Sequence, residues 1–315
     1  MKMSLAPIVL FVYNRPNHTK RLLESLRRNN LIEHSKLFVY CDGPKLNSSS
    51  SDIANIILVR DLVKKINFCK EVEIIESGVN KGLANSVISG VNQILRSYNN
   101  VIVLEDDLEL SDNFLNYMNY SLCKYESYNQ VYQISGHTFN LSSLNKNSAM
   151  FLPFTTSWGW GTWKRAWDKF EINSNDWGTL FTDNSLRNDF NLKGTYKYDK
   201  MLKSQIEGSI DSWAIRWYWT VFINKGLVLF PPYTLVNNLG FDGSGTHGKG
   251  FFRYFKKSQD SNDFGEIIYP SEACIVEEDF NNVKRAIFKA NGGYIGRFVD
   301  FFKGLFIFVI FFSLI

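Results

Sequence analysis

An acidic run, Glu105-Asp106-Asp107, directly follows the apolar residues Val101 to Leu104. Three carboxylates placed at the end of a buried strand repel one another, and a bound cation relieves that repulsion. Hard divalent ions take oxygen ligands. Mg2+ or Mn2+ typically uses one or two protein carboxylates plus substrate phosphates, and such an ion stabilises negative charge on a leaving diphosphate. The alternative is an acidic turn that caps a helix at Phe114-Leu115. Ser111 or Asp112 can do that capping, which leaves Glu105 to Asp107 without a structural task.

Other reactive groups follow other apolar runs. Asn14-Arg15-Pro16 comes after Ile8–Val12, and Cys41-Asp42-Gly43-Pro44 after Leu37–Tyr40. Arg15 can pair with a phosphate or stack on a base, or it can make a surface salt bridge. Asp42 can accept from a base imide or hold a ribose, or it can close an Asp-Gly-Pro turn. Trp158-Gly159-Trp160-Gly161-Thr162-Trp163 sets flat apolar rings between glycines, which suits close approach to a ligand or the tight start of a helix packed on the core. Asp211 precedes Trp213 and Trp217. Tryptophans that exclude water would raise its pKa toward a useful general-base value; the other reading is an Asp that caps a helix beginning near Ser212. His247 lies in the glycine-rich stretch 240–250, where it can close over a diphosphate or stand idle in solvent.

These groups need elements to position them. Ile8–Val12, Leu37–Tyr40, Val72–Ile75 and Val101–Leu104 recur at the spacing of strand-plus-crossover units. Between them, Leu22, Leu23 and Leu26 follow Pro16; Ile53, Ile56, Ile57, Val63 and Ile66 follow Ser48–Ser51; and Leu83, Val87, Val91, Ile94 and Leu95 follow Gly82. All three sets have helical spacing. The pattern predicts a mostly parallel sheet covered by helices on both faces, with ligands beyond the carboxyl ends of the strands. Every polar cluster named above from the first half then falls on one sheet edge. After about residue 125 the rhythm breaks. Val131–Ser135 and Lys225–Phe230 read as further strands, 141–200 is polar with few apolar runs, and 240–250 reads as a mobile loop.

Composition excludes several classes. The 315 residues are 45% hydrophobic and 21% charged with net charge +4, and no dense basic run is interleaved with aromatics, so nucleic acid is not an expected partner. Aromatics reach 16% and concentrate after residue 150. Cys41, Cys69, Cys123 and Cys274 are scattered, which suits a reducing compartment. The first apolar run is too short for a signal peptide. Leu305–Ile315 is apolar except Ser313. It reads as an interfacial helix with Arg297 and Lys303 near lipid headgroups, or as a helix docked on the core. The first of these places the protein in the cytoplasm, peripheral on the inner face of the membrane.

Taken in order, these residues resemble the GT-A glycosyltransferases. The chain is similar to bacterial sugar transferases of surface-polysaccharide loci, and more distantly to the animal N-acetylglucosaminyltransferase that initiates complex N-glycan branching. The resemblance spans about residues 5–250. It rests on Asn14-Arg15-Pro16, Asp42-Gly43, Leu104-Glu105-Asp106-Asp107, the 157–167 stretch SWGWGTWKRAW, Asp211-Ser212-Trp213 and the loop with His247. It implies a GT-A Rossmann-like α/β fold with a mostly parallel central sheet and a C-terminal hydrophobic helix. Residues 1–125 would bind the nucleotide-sugar, 126–270 the acceptor, and 271–315 would extend to the membrane. Asp107 would ligate Mn2+ or Mg2+, Glu105 would face the nucleoside, and Asp106 would complete the acidic donor site. Asp42 would read the uracil, Asn14 and Arg15 would lie near the nucleotide, and Asn80, Lys81 and Asn85 would border the ribose. Trp160 and His247 would contact the donor, and Asp211 would be the base of an inverting transfer. Two departures stand out: Ser212 replaces a second acid of the animal enzyme, and Asn14 replaces an Asp. The implied reaction moves a sugar from a UDP-sugar, with UDP-N-acetylhexosamine suggested, to a hydroxyl of a glycan or lipid-linked glycan in surface-polysaccharide synthesis. Two rivals remain. A nucleotidyltransferase would carry a glycine-rich basic loop after the first strand, where this chain has Asn14-Arg15-Pro16-Asn17. A non-catalytic glycan-binding module would have no need of an acidic cluster beside a nucleotide edge.

Overall fold

A computed structural model describes residues 4–139, 147–240 and 266–290. The first half is a regular alternation: β1 (Ile8–Val12), α1 (Pro16–Arg27), β2 (Lys36–Cys41), α2 (Ser50–Lys64), β3 (Glu71–Glu76), α3 (Leu83–Ile94) and β4 (Asn100–Glu105). The first two helices begin at local signals. Proline opens α1, where its missing N–H costs nothing. Ser49 and Asp52 close a reciprocal capping box on α2. Then follow β5 (Leu108–Leu110), α4 (Phe114–Lys124), β6 (Val131–Ser135), β7 (Met150–Leu152) and β8 (Trp160–Trp163). Four short helices come next: α5 (Lys164–Trp167), α6 (Thr179–Thr182), α7 (Asn184–Phe190) and α8 (Tyr198–Ile206). The last described elements are α9 (Trp213–Ile223), β9 (Leu227–Phe230), β10 (Val236–Asn238) and α10 (Glu277–Ala290).

Eight strands form one sheet in the order β3-β2-β1-β4-β8-β6-β9-β7. The β1–β2, β1–β4, β2–β3 and β6–β9 pairs are parallel. β8 runs antiparallel between β4 and β6, and β7 is an antiparallel edge. This is the expected Rossmann-like, mainly parallel α/β architecture, and both halves of the chain contribute to the one sheet. On one face Val87 and Val91 of α3 pack with Trp217 of α9. On the other lie Leu22 and Leu26 of α1, Val59 of α2, and Leu115 and Met118 of α4. Burial of such side chains contributes about 1.5–3 kcal/mol each.

Several expectations need correcting. Residues 158–163 do not open a helix; they lead into and form the central strand β8. Gly159 has φ of 59°, and a Cβ there would lie 2.9 Å from Val236 Cγ1, so the approach to β8 needs glycine. Lys225 and Gly226 precede the late strand, which starts at Leu227. Ile53 and Ile57 are exposed, and the buried face of α2 is Ile56, Val59 and Val63. Neither Ser111 nor Asp112 caps α4, whose N-cap Asn113 makes no side-chain cap bond. Asp112 instead pairs with Arg28 at 3.1 Å. The four cysteines are free. The helix α10 is amphipathic and buries Phe280, Val283 and Ile287. The apolar stretch 305–315, and Arg297 and Lys303 with it, lies outside the described residues. Among the described residues no helix is long and apolar enough to cross a membrane.

Candidate active site

Parallel registration brings the strand ends together. Phe11 aligns with Glu105, Val12 with Cys41, and Cys41 with Glu76. The residues that follow β1, β2, β3 and β4 therefore share one edge of the sheet, and side-chain contacts join them.

Arg15 reaches across from the start of α1 to the acidic cluster. Its Nη2 lies 2.5 Å from Asp106 Oδ1 and its Nη1 3.2 Å from Asp107 Oδ2. The Tyr13 N–H also donates to Asp106 Oδ2 at 3.3 Å. Asp106 is only 3% exposed. Burial pushes its carboxyl up to about 6, against the pull of Arg15. Burial would lower the Arg15 guanidinium, but Asp106 and Asp107 more than reverse that and hold it charged. Part of the repulsion read from the sequence is thus relieved by the chain's own arginine. Asp106 also faces protein rather than solvent, so the expected direct contact with a donor gives way to a grip on Arg15.

Glu105 has a different environment. Burial pushes its carboxyl up to about 8, and the charges of Asp107 and Asp106 add to the shift. Arg15 and a hydrogen bond from the Trp213 side chain oppose it. Trp213 is the first residue of α9, and its ring stacks on Trp160 at 4.9 Å between centroids. Trp160 itself is wholly buried on β8, where it pairs with Val103. Its expected donor contact is therefore corrected: a central strand covered on both faces leaves that ring in the core. Trp213, 4% exposed, is the ring that meets Glu105, a contact the sequence did not indicate when it placed this residue beside Asp211.

Asp107 completes the cluster. Its Oδ1 is sealed from solvent and has no hydrogen-bond partner. Its backbone carbonyl accepts from the Leu239 N–H at 2.7 Å, and the Leu239 carbonyl meets His18 Nε2 at 3.3 Å. A Cβ on Gly240 would lie 2.5 Å from Asp107 Oδ2, so any larger residue there would push the carboxylate aside. His18 and Leu239 had no warning in the sequence, and Gly240 was marked only as the start of the glycine-rich stretch, because their contacts depend on the β5–β10 pairing that sets Asn238 against Leu108. An unpartnered carboxylate oxygen fits a hard cation. Among the described residues no three His, Cys, Asp or Glu side chains gather as a ready-made metal cage. The fit is therefore to an ion that takes most of its ligands from substrate and water.

The loops around Asp42, where the resemblance implied a nucleoside, are more tightly tied than expected. Asp42 Oδ1 accepts from the N–H groups of Gly43 at 2.9 Å and Lys81 at 2.8 Å. Asp42 Oδ2 accepts from Asn80 Nδ2 and the Gly82 N–H, both at 3.0 Å. With four donors in place the carboxylate is a clamp on residues 80–82, which corrects the expectation that it reads a base directly. Asn80 also donates to the Gly43 carbonyl, Asn85 to the Lys81 carbonyl, and Asn14 to Asp52 at 2.9 Å. The three amides brace the loops, and the exposed backbone of Lys81 lies beside them.

Asp211 stands at the N-terminal end of α9, one residue before the N-cap Ser212, which accepts from the Ile215 N–H. Its side chain is 56% exposed and pairs with Arg216, a guanidinium that is 5% exposed. The expected desolvation by tryptophans is absent, because Trp213 and Trp217 turn into the core. Asp211 and Glu105 are linked through Trp213. His247 lies outside the described residues. His137, which the sequence did not mark, is buried after β6 with Nδ1 3.0 Å from Thr234 Oγ1, and burial pushes its pKa down to about 3.

No family model and no curated protein matches this chain. Solved structures do. S. aureus TarS is 10% identical over 71% of this chain with a TM-score of 0.39, and the chain spans about a third (35%) of its length. Mouse xyloside xylosyltransferase 1, in its apo form, is 12% identical over 69% of this chain and 81% of its own, with a TM-score of 0.34. At these scores the likeness carries no function with it; what the site can do rests on its own geometry.

Proposed function

We propose that this chain is a GT-A-type glycosyltransferase that moves a sugar from a UDP-sugar to a hydroxyl of a glycan. The supporting observation is the edge itself. A charged, partly exposed Arg15 and a carboxylate oxygen of Asp107 without a partner stand together beyond the carboxyl ends of β1 and β4. That pairing of a cation with an unpartnered carboxylate oxygen, to which a metal ion could be added, suits a nucleoside diphosphate.

Arg15 binds the diphosphate, and the loop held by Asp42 borders the nucleoside. Mn2+ or Mg2+ held by Asp107 would offset charge on the departing diphosphate. Asp211 takes the proton of the acceptor hydroxyl as that oxygen bonds to the anomeric carbon and the bond to the diphosphate breaks, with inversion and release of UDP. Its half-exposed carboxylate, ion-paired with Arg216, is held in place and open to an acceptor. A glycan or lipid-linked glycan of surface-polysaccharide synthesis is the acceptor class, and the C-terminal apolar stretch would bring the chain to the membrane surface. N-acetylhexosamine is the first sugar to try.

The test is calorimetric titration of UDP into the protein with Mn2+, then with EDTA. Metal-dependent binding supports the reading, and UDP release from a UDP-sugar completes it. No UDP binding in either condition overturns it. Release of pyrophosphate in place of UDP would identify a nucleotidyltransferase.

A further inference from the structure

We propose that Arg15 competes with the divalent cation for Asp107, and that Asp106 is the positioning residue that keeps Arg15 at the site when the cation displaces it. The inference rests on the reading of this edge as a metal–diphosphate site.

The two carboxylates hold Arg15 unequally. Asp106 binds it at 2.5 Å from a buried position that the Tyr13 N–H also supports. Asp107 binds it at 3.2 Å and through one oxygen only, with the other left unpartnered. The longer contact is the one that can be given up. A divalent ion on Asp107 would stand beside a guanidinium, and like charges at that range repel strongly where solvent is scarce. The ion-free chain therefore has Arg15 as a resident counter-charge for both acids. The ion must loosen the Asp107 contact, and the guanidinium nitrogen so released remains tethered by Asp106. Arg15 keeps 24% of its side chain exposed, so a diphosphate oxygen can meet that nitrogen from solvent. Asp106 touches neither ion nor diphosphate in this scheme.

The scheme makes one substitution act in opposite directions on two ligands. Arg15→Gln should tighten Mn2+ binding to the nucleotide-free protein by about tenfold, and weaken UDP at saturating Mn2+ by about tenfold or more. Asp106→Asn should let Arg15 settle on Asp107 and weaken Mn2+ several-fold. The double variant should return to the Mn2+ affinity of Arg15→Gln alone, the non-additivity expected when Asp106 acts on the ion through Arg15. Mn2+ binding is read by the electron paramagnetic resonance signal of the free ion, and circular dichroism checks that each variant is folded. Unchanged or weaker Mn2+ binding in folded Arg15→Gln overturns the competition, as does absence of Mn2+ binding in both it and the parent. If Asp106→Asn fails to fold, the opposed effects of Arg15→Gln still decide the matter. Failure of UDP to bind any protein, with the Mn2+ shift intact, would overturn the glycosyltransferase reading and leave the competition standing.

Discussion

Raising the pH should destabilise the metal-free protein, and Glu105 should be the reason. Its carboxyl titrates near 8 in the folded chain and near 4.5 when free of its surroundings. Between those values the folded state carries a proton that the unfolded state has lost, so stability falls as pH rises through that window and levels off above it. At about 1.4 kcal/mol per unit the ceiling is about 5 kcal/mol. Glu105 is not fully closed to solvent and Arg15 lies close, so screening reduces this to ~1–2 kcal/mol. For a chain of 315 residues that lowers Tm by roughly 1.5–3 °C. The assay is thermal unfolding in EDTA at several pH values from 5 to 9, with Glu105→Gln as the comparison. Asp106, pushed up to about 6, titrates in both proteins below the range in which Glu105 ionises, so the difference above pH 7 reports mainly Glu105. The amide keeps the shape of the protonated acid and has no charge to desolvate, so the variant should lose stability less steeply and overtake the parent at alkaline pH. Parallel curves would mean that Glu105 ionises freely in the folded chain, and the account of a desolvated carboxylate under Trp213 would be refuted.

Two further outcomes follow from the site. Asp211→Asn should lower kcat by about 10²–10⁴-fold while UDP affinity stays within about twofold, measured by steady-state transfer and titration; equal loss of both would assign Asp211 to the support of Arg216 alone. Gly240→Ala presses a methyl group on Asp107 Oδ2 and must displace that carboxylate, so Mn2+ affinity should fall by about tenfold, or about 1.4 kcal/mol; an unchanged affinity would mean that the carboxylate moves without loss, and unchanged affinity in Asp107→Ala would remove Asp107 as the ligand.

Much of the frame was legible because its signals are local. Ile8–Val12 is an unbroken apolar run that ends before Asn14-Arg15-Pro16, Val131–Ser135 is rich in β-prone residues, and both are strands with those bounds. Helices α1, α2 and α3 follow Pro16, the Ser48–Ser51 loop and Gly82 as their spacing and caps indicate. β7 and β8 were hidden by length and composition: three and four residues give too few alternations to register, and Trp-Gly-Thr-Trp has no strand-like pattern of its own. At the site, the edge on which residues gather could be read from strand order. What each residue does there could not. Asp42 is saturated by a loop some forty positions away, and Arg15 and Asp106 meet across about ninety. Whether a carboxylate is free or spent is decided by those distant partners, and residue type says nothing about them.

The place of β8 in the sheet has a consequence for how the protein is made. β4 needs β1 on one side and β8 on the other, and β8 is encoded about 55 residues after β4 ends. At ribosomal rates of ~5–20 residues per second, the parallel unit β3-β2-β1-β4 stands for several seconds with β4 as an open border. That border is Val-Ile-Val-Leu, apolar and free of charge until Glu105. Such an edge pairs readily with another nascent chain. The acidic run that ends β4 thus has a second service before any ligand arrives: it places charge at the one end of that border where a growing chain would otherwise find a neighbour.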